Sequence, residues 1–235
     1  YGDYAQQLDH CTGLVLDALE KSGLAQDTLV LFTSDNGGRY EGTAMRAGHR
    51  TNGALLGQKT DAWEGGHRVP CIARWPGRIP AGVVRKDFFV QVDVMATLAE
   101  AAGIPVPRGG SPDGASELAA FLRPTEAPAR RTEALLQGTR GMVLRQGDWV
   151  YFPRQGSLGY SAPERERPFG LPWARMGFVS SDIDDRGQVR PGAPKEQLYH
   201  LAADPGQAKN LAAQEPDRLR AMRARFRELA GPAAR

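Results

Sequence analysis

Apolar residues recur at helical spacing at the start of the chain. Tyr4, Leu8, Cys11, Val15 and Leu19 share one stripe, and Gly23 stands where a helix would stop. A short continuous apolar run follows, Leu29 to Phe32, and breaks off at Thr33-Ser34-Asp35-Asn36-Gly37-Gly38. Such a run predicts a strand buried on both faces of a parallel sheet, ended by turn-forming residues. Val69 to Arg74 predicts a second strand, closed by the turn Trp75-Pro76-Gly77. Val92 to Ala102 has a helical pattern stopped by Gly103 and Pro105. Pro107 to Pro112 reads as a loop, and a short helix over Ala115 to Leu122 ends at Pro124.

Thr125 to Arg131, with Pro128, reads as a boundary, and beyond it the period changes. Gly141 to Arg145 and Trp149 to Phe152 are short runs separated by Gln146-Gly147-Asp148, which predicts a hairpin. Gln197 to Leu201 predicts a further strand. Near the end, Leu219, Met222, Phe226 and Leu229 form one helical stripe, with Arg218, Arg220, Arg225 and Arg227 largely off it. That is the pattern of an amphipathic helix packed on a small antiparallel sheet, with a solvated basic face. The segment from about 154 to 194 is rich in Pro, Gly and charge, with Tyr160, Phe169, Trp173 and Phe178 scattered through it. The aromatics argue against simple disorder and suit either a substrate cleft or an oligomer contact. The expected organisation is an α/β part over residues 1–124 and a C-terminal α+β part over 125–235, the latter carrying the long irregular insertion.

Composition narrows the function classes. The 235 residues are enough for one sizeable core or two modest domains. A formal charge of +3 is too small to argue for a nucleic-acid partner. No apolar run is long enough for a membrane span. The sequence opens at Tyr1 without a leader-like segment, which says nothing about export. Two cysteines, Cys11 and Cys71, supply no disulfide framework and are expected to be buried thiols.

The candidate chemistry lies in two segments. Asp35 and Asn36 sit at the expected carboxyl end of a strand, where open α/β sheets place ligands. A carboxylate and an amide carbonyl are hard oxygen donors suited to Ca²⁺ or Mg²⁺, and Gly37 and Gly38 let the backbone approach closely. The same four residues also make an ordinary Asx-Gly turn. Downstream, Lys59 stands between Gly57 and Gly65-Gly66. An ammonium there is either a point charge for a sulfate or phosphate oxygen or a solvated surface lysine. Glu64 and Arg68 suit a structural pair. His67 is a packed loop histidine first, with ligand or proton donor as the other readings.

These segments carry a family resemblance. The chain resembles the C-terminal part of a type I, formylglycine-dependent sulfatase of the alkaline phosphatase superfamily, nearest the arylsulfatase A-like branch. The residues that carry it are Leu29 to Gly37, Gly57-Gln58-Lys59, Glu64-Gly65-Gly66-His67-Arg68-Val69-Pro70 and Arg74-Trp75-Pro76-Gly77. Asp93 to Gly103, Leu198-Tyr199-His200-Leu201, Asp204-Pro205 and Asn210-Leu211 follow in the same order. Together they run through most of the chain. The resemblance implies the end of an alkaline-phosphatase-like α/β sandwich core, followed by a small antiparallel sheet subdomain with a C-terminal helix. It implies Asp35 and Asn36 as two ligands of an active-site Ca²⁺, and Lys59 as a contact to the sulfate, with His67 as a further substrate contact. A small-molecule or glycan sulfate ester is the implied substrate, and a periplasmic or secreted location is implied with it.

The resemblance also implies a formylglycine nucleophile made from Cys in a C-x-P-S-R or C-x-A-S-R motif. Cys11 is followed by Thr-Gly-Leu-Val and Cys71 by Ile-Ala-Arg-Trp, so neither qualifies. The family's paired acidic ligands near the N-terminus are absent as well. The formylglycine is therefore expected upstream, and the 235-residue chain alone is expected to be inactive. Leu56 stands where relatives often carry Arg, a departure in local packing or charge that leaves Lys59 in register. Two other readings remain at this level. One is a phosphodiesterase or phosphonate hydrolase of the same superfamily, with another nucleophile. The other is a non-catalytic binding protein on the same fold.

Overall fold

The computed structural model describes residues 2–106, 109–128, 130–159, 178, 180–184 and 189–231. In chain order the elements are α1 (Gly2–Lys21), β1 (Val30–Thr33), α2 (Gly42–Arg46), α3 (Glu64–His67), β2 (Cys71–Arg74), α4 (Asp93–Ala101) and α5 (Leu118–Leu122). The second half supplies β3 (Glu133–Gly138), β4 (Gly141–Gln146), β5 (Trp149–Phe152), β6 (Gln197–His200) and α6 (Pro216–Ala230). Among the described residues, no helix is long and apolar enough to cross a membrane. The chain forms two compact units, residues 1–33 with 70–132 and residues 34–69 with 133–235. Residues 34–69, placed by the sequence reading with the first 124, thus pack with the C-terminal half.

In the first unit β1 and β2 form a two-stranded antiparallel pair, with Val30 opposite Arg74 and Thr33 opposite Cys71. The expectation of a parallel strand buried on both faces is corrected here. The chain leaves the carboxyl end of β1 and re-enters beside it, so β2 runs back along β1, and both strands are only partly covered. The expectation of buried thiols is corrected too, since Cys11 and Cys71 are both exposed. The stripe on α1 exists but is largely uncovered: the helix has no buried residue, and Tyr4 is 80% and Leu8 57% exposed. Periodicity predicts that a face is apolar; a partner decides whether it is buried.

The head of α4 is tied into this unit by a buried ion pair. Asp93 is fully buried, and its carboxylate accepts from Arg131 Nε at 2.7 Å and from the Ala115 N–H at 2.8 Å. Removing one partner of a buried pair leaves the other charge uncompensated. Asp93→Ala is therefore expected to destabilise this unit by about 3–5 kcal/mol. Urea unfolding followed by circular dichroism checks this, and an unshifted midpoint would show that Arg131 finds water instead.

The second unit is built on the antiparallel sheet β3-β4-β5-β6. The β4–β5 hairpin turns at Gly147, φ +56°, with Gln146 opposite Trp149, as the Gln-Gly-Asp signal predicts. Leu144, Tyr151 and Leu198 lie opposite one another in register and meet Met222 and Phe226 of α6. The alternate residues Val143, Val150, Phe152 and Tyr199 face the other way and pack with Tyr40, Leu56, Ala62 and Trp63. Both faces are covered, which explains why Trp149 to Phe152 reads as a continuous apolar run rather than an alternating one.

The stripe on α6 is confirmed at Leu219, Met222 and Phe226, whereas Leu229 is 39% exposed and Ala230 packs in its place. On the basic face Arg218, Arg220 and Arg227 are exposed as expected, and Arg225 is half-buried. Arg225 Nε donates to Glu133 of β3 at 3.0 Å, Arg223 pairs with Glu196, and the Arg218 guanidinium lies 5.3 Å from the Trp149 ring centre. Of the aromatics in the 154–194 segment, Tyr160, Phe169 and Trp173 lie outside the described residues. Phe178 packs against the core, its ring 5.8 Å from that of Tyr40.

Candidate active site

The sequence-predicted residues Asp35, Asn36, Lys59 and His67 all fall in the second unit, on two loops joined by backbone hydrogen bonds. The Gly37 N–H donates to the Gly66 carbonyl at 2.9 Å, and the Lys59 N–H donates to the Gly38 carbonyl at 3.2 Å. These bonds set Lys59 beside the turn that carries Asp35 and Asn36, and His67 next to the residue that receives Gly37. Glycine is required at the seam. A Cβ on Gly37 would stand 1.9 Å from the Gly65 carbonyl oxygen, and one on Gly65 would stand 2.2 Å from that of Gly57.

Asn52, which the sequence reading passed over, locks the same seam. Its side chain accepts from the Gly38 N–H at 2.8 Å and donates to the carbonyls of Gly38 at 2.8 Å and Gly57 at 3.0 Å. A single amide thus holds the Asp35 turn and the start of the Lys59 loop together. The one sequence signal for it is the Asn52-Gly53 dipeptide, a turn mark in which Gly53 takes φ +59°.

The donor groups are differently placed. Asp35 is exposed, and its one side-chain hydrogen-bond contact among the described residues is a long 3.5 Å approach from the Ser34 hydroxyl to Oδ1. Asn36 Nδ2 donates to the Gly37 carbonyl at 2.9 Å, which turns Oδ1 the other way. Among the described residues no hydrogen bond engages Asp35 Oδ2 or Asn36 Oδ1. Two hard oxygens in sequence are therefore free, the donor set that suits a Ca²⁺ ion. They do not close a site alone: among the described residues there is no cluster of three or more His, Cys, Asp or Glu side chains able to hold a metal.

Lys59 is exposed at the tip of a loop whose flanks, Leu56 to Gln58 and Asp61 to Gly66, are buried. The Asp61 carboxylate accepts from the Gln58 N–H at 3.1 Å, and Gln58 Oε1 accepts from the Tyr40 N–H at 3.0 Å. Two further bonds tie the loop to the sheet side of the unit. Ala62 N–H donates to the Ser157 carbonyl at 2.7 Å, and Thr139 N–H to the Thr60 carbonyl at 3.1 Å. An ammonium on a flexible stem is thus carried by a rigid base. Leu56 fills the core at 1% exposure, so the departure from Arg at this position leaves the packing intact.

His67 and Glu64 close the loop. His67 Nε2 lies 2.9 Å from the Ala62 carbonyl oxygen, which only an N–H can approach, so Nε2 carries the proton. Burial holds the imidazole below its ordinary pKa range, with the Glu64 carboxylate opposing the shift. The ring is neutral near pH 7, and its Nε2 is committed to its own loop, as the packed-histidine reading expects. Glu64 is 1% exposed and accepts from Arg68 Nε at 2.7 Å and from Arg145 of β4 at 3.3 Å. The expected Glu64–Arg68 pair is present, and Arg145 extends it to the sheet.

The Asp35–Asn36 and Lys59 loops, joined as described, lie within or beside the part of the chain that a family model recognises. Residues 1–104 match the family described as Sulfatase. An N-acetylgalactosamine-6-O-sulfatase of Bacteroides thetaiotaomicron is 30% identical over 225 residues, covering 93% of this chain and 39% of its own length. The chain belongs to the sulfatase family. Human arylsulfatase D is 41% identical over 219 residues, covering 90% of this chain and 35% of its own length. This sulfatase chain therefore spans well under half the length of these curated relatives. A solved structure from work on glycosaminoglycan metabolism by Bacteroides thetaiotaomicron superposes with a TM-score of 0.71 at 26% identity, over 95% of this chain and 43% of that one. A Pseudoalteromonas sulfatase shares the fold with a TM-score of 0.63 at 21% identity, over 94% of this chain and 41% of that one.

Proposed function

We propose that the complete protein hydrolyses a sulfate ester, and that this chain supplies one half of its active site. The observation that carries the reading is the seam itself. Two unengaged hard oxygens, on Asp35 and Asn36, and an exposed ammonium, on Lys59, are fixed on two loops by Gly37, Gly38 and Asn52. Asp35 and Asn36 would hold Ca²⁺. Bound there, Ca²⁺ supplies Lewis-acid polarisation of a sulfate oxygen. Lys59 binds a sulfate oxygen and offsets the negative charge that grows toward the leaving oxygen. Asn52 and the glycine seam hold that ammonium at a constant distance from the metal-binding turn. His67, with Nε2 committed, offers only Nδ1 to a substrate.

The nucleophile is assigned to a formylglycine outside this chain, because neither Cys11 nor Cys71 stands in the required motif. The names of the relatives make a carbohydrate or aryl sulfate ester the substrate class to test first.

The test is a release assay on the complete protein with an aryl sulfate, with and without a Ca²⁺ chelator. Chelator-sensitive release of sulfate is expected. Hydrolysis of a phosphodiester to an alcohol and a phosphomonoester, with none of the sulfate ester, would replace this reading with the phosphodiesterase one. The 235-residue chain alone is expected to show no turnover above its own Lys59→Ala variant.

A further inference from the structure

The turn Asp204–Asn210 is a motif that the chemistry above does not use. Its own geometry is well satisfied. Asp204 accepts from the Ala208 and Lys209 N–H groups at 3.0 and 2.8 Å. Asn210 accepts from the Leu198 and Ala212 N–H groups, both at 3.0 Å, which pins the turn to β6. Gln207, between them, is different. It is fully buried and takes φ +50°, a left-handed backbone that a glutamine adopts only when its surroundings impose it. Its Nε2 is buried without a hydrogen-bond partner among the described residues, a second cost. Against both stands one contact: Gln207 Oε1 accepts from the Glu64 N–H at 2.8 Å, across 143 residues of sequence.

That N–H is the first of α3. The residue before it, Trp63, makes no side-chain cap, so the helix start has no local acceptor. The same four residues carry the seam. Gly65 N–H donates to the Leu56 carbonyl at 2.7 Å, just before Lys59, and the Gly66 carbonyl receives Gly37. We infer that Gln207 is a positioning residue. It caps α3 from a distant turn and so fixes the Lys59 loop against the Asp35 turn. Strain and an unpaired donor are tolerated because one acceptor has to stand at one place.

The inference rests on the sulfatase reading for its kinetic readout but not for its structural one. Two variants of the complete protein serve. Gln207→Met keeps the length and removes the acceptor. Gln207→Asn suits the left-handed backbone better and draws the acceptor back by one methylene. Both are expected to lower kcat for an aryl sulfate roughly ten- to hundredfold, with KM within about twofold, as a displaced catalytic loop would. Met222→Ala, on the opposite face of the sheet, is the control. It is expected to lower the melting temperature and leave kcat unchanged.

Amide exchange across Glu64–His67 is expected to quicken in both Gln207 variants, whatever the substrate proves to be. Unchanged exchange with unchanged kcat would overturn the inference. So would a loss of kcat matched by Met222→Ala at equal loss of stability. Lys59→Ala in the same assay separates the two ideas: if it alone is inactive, only the role of Gln207 falls; if it is fully active, the sulfatase assignment of the loop falls.

Discussion

Asp35→Ala is expected to strip Ca²⁺ from the complete protein and abolish its turnover while leaving the fold intact. The two halves of that statement rest on different observations. Asp35 is exposed, and apart from the 3.5 Å approach of the Ser34 hydroxyl its carboxylate makes no hydrogen bond among the described residues. The seam is held instead by Gly37, Gly38 and Asn52. A substitution that breaks no such contact should move stability by no more than about 0.5 kcal/mol. The metal half follows from charge. A carboxylate is the strongest kind of hard donor for Ca²⁺, and among the described residues no cluster of three or more His, Cys, Asp or Glu side chains is there to hold the ion in its place. Outer-shell partners of a metal commonly matter by 10- to 100-fold, so a direct charged ligand should matter by more than about a hundredfold. Asn36→Ala should act in the same direction with a smaller loss, since it removes a neutral oxygen. Metal content by emission spectrometry, with kcat and the melting temperature, decides. Unchanged metal and activity in Asp35→Ala would reduce the pair to an Asx-Gly turn.

What the sequence shows of this molecule is what neighbours in sequence determine. The β4–β5 hairpin is legible because Gly147 supplies the backbone its turn needs. The core face of α6 is legible because Leu219, Met222 and Phe226 repeat at helical spacing. β3 is not legible because its apolar centre, Ala134 to Leu136, is flanked by Glu133 on one side and Gln137-Gly138 on the other, and its identity comes from pairing with β4. The direction of β1 against β2 and the exposure of Cys11 and Cys71 depend on what comes alongside, which no local pattern carries.

The candidate site divides in the same way. Residue types and glycine spacing single out Asp35, Asn36 and Lys59. The bonds that join them run through Gly38 and Asn52, and the cap on α3 comes from Gln207. Those three contributions are backbone geometry, a turn asparagine and a contact between distant parts of the chain. None has a signature stronger than an Asn-Gly pair or a lone Gln.

Lys59→Ala should lower kcat far more than it raises KM. The ammonium is exposed at the tip of a loop whose base is buried and bonded to the sheet side of its unit. No ion pair among the described residues engages it, so its charge is available to a ligand and holds nothing else in place. As the ester bond breaks, negative charge moves onto the leaving oxygen, and a fixed cation gains more there than it did in the ground state. Interactions of that kind appear in kcat. Removing one should cost roughly 3 kcal/mol, about a hundredfold in rate. The fold should survive, since the loop is held by the Lys59 backbone N–H and by Asn52, neither of which the substitution removes. Lys59→Arg should rescue poorly. A planar guanidinium is bulkier and directs its donors in a fork, whereas the loop base holds one fixed distance to the Asp35 turn. Steady-state kinetics on both variants with an aryl sulfate give the answer. Wild-type kcat with a raised KM would make Lys59 a ground-state contact to the sulfate, and wild-type values for both constants would remove it from the site.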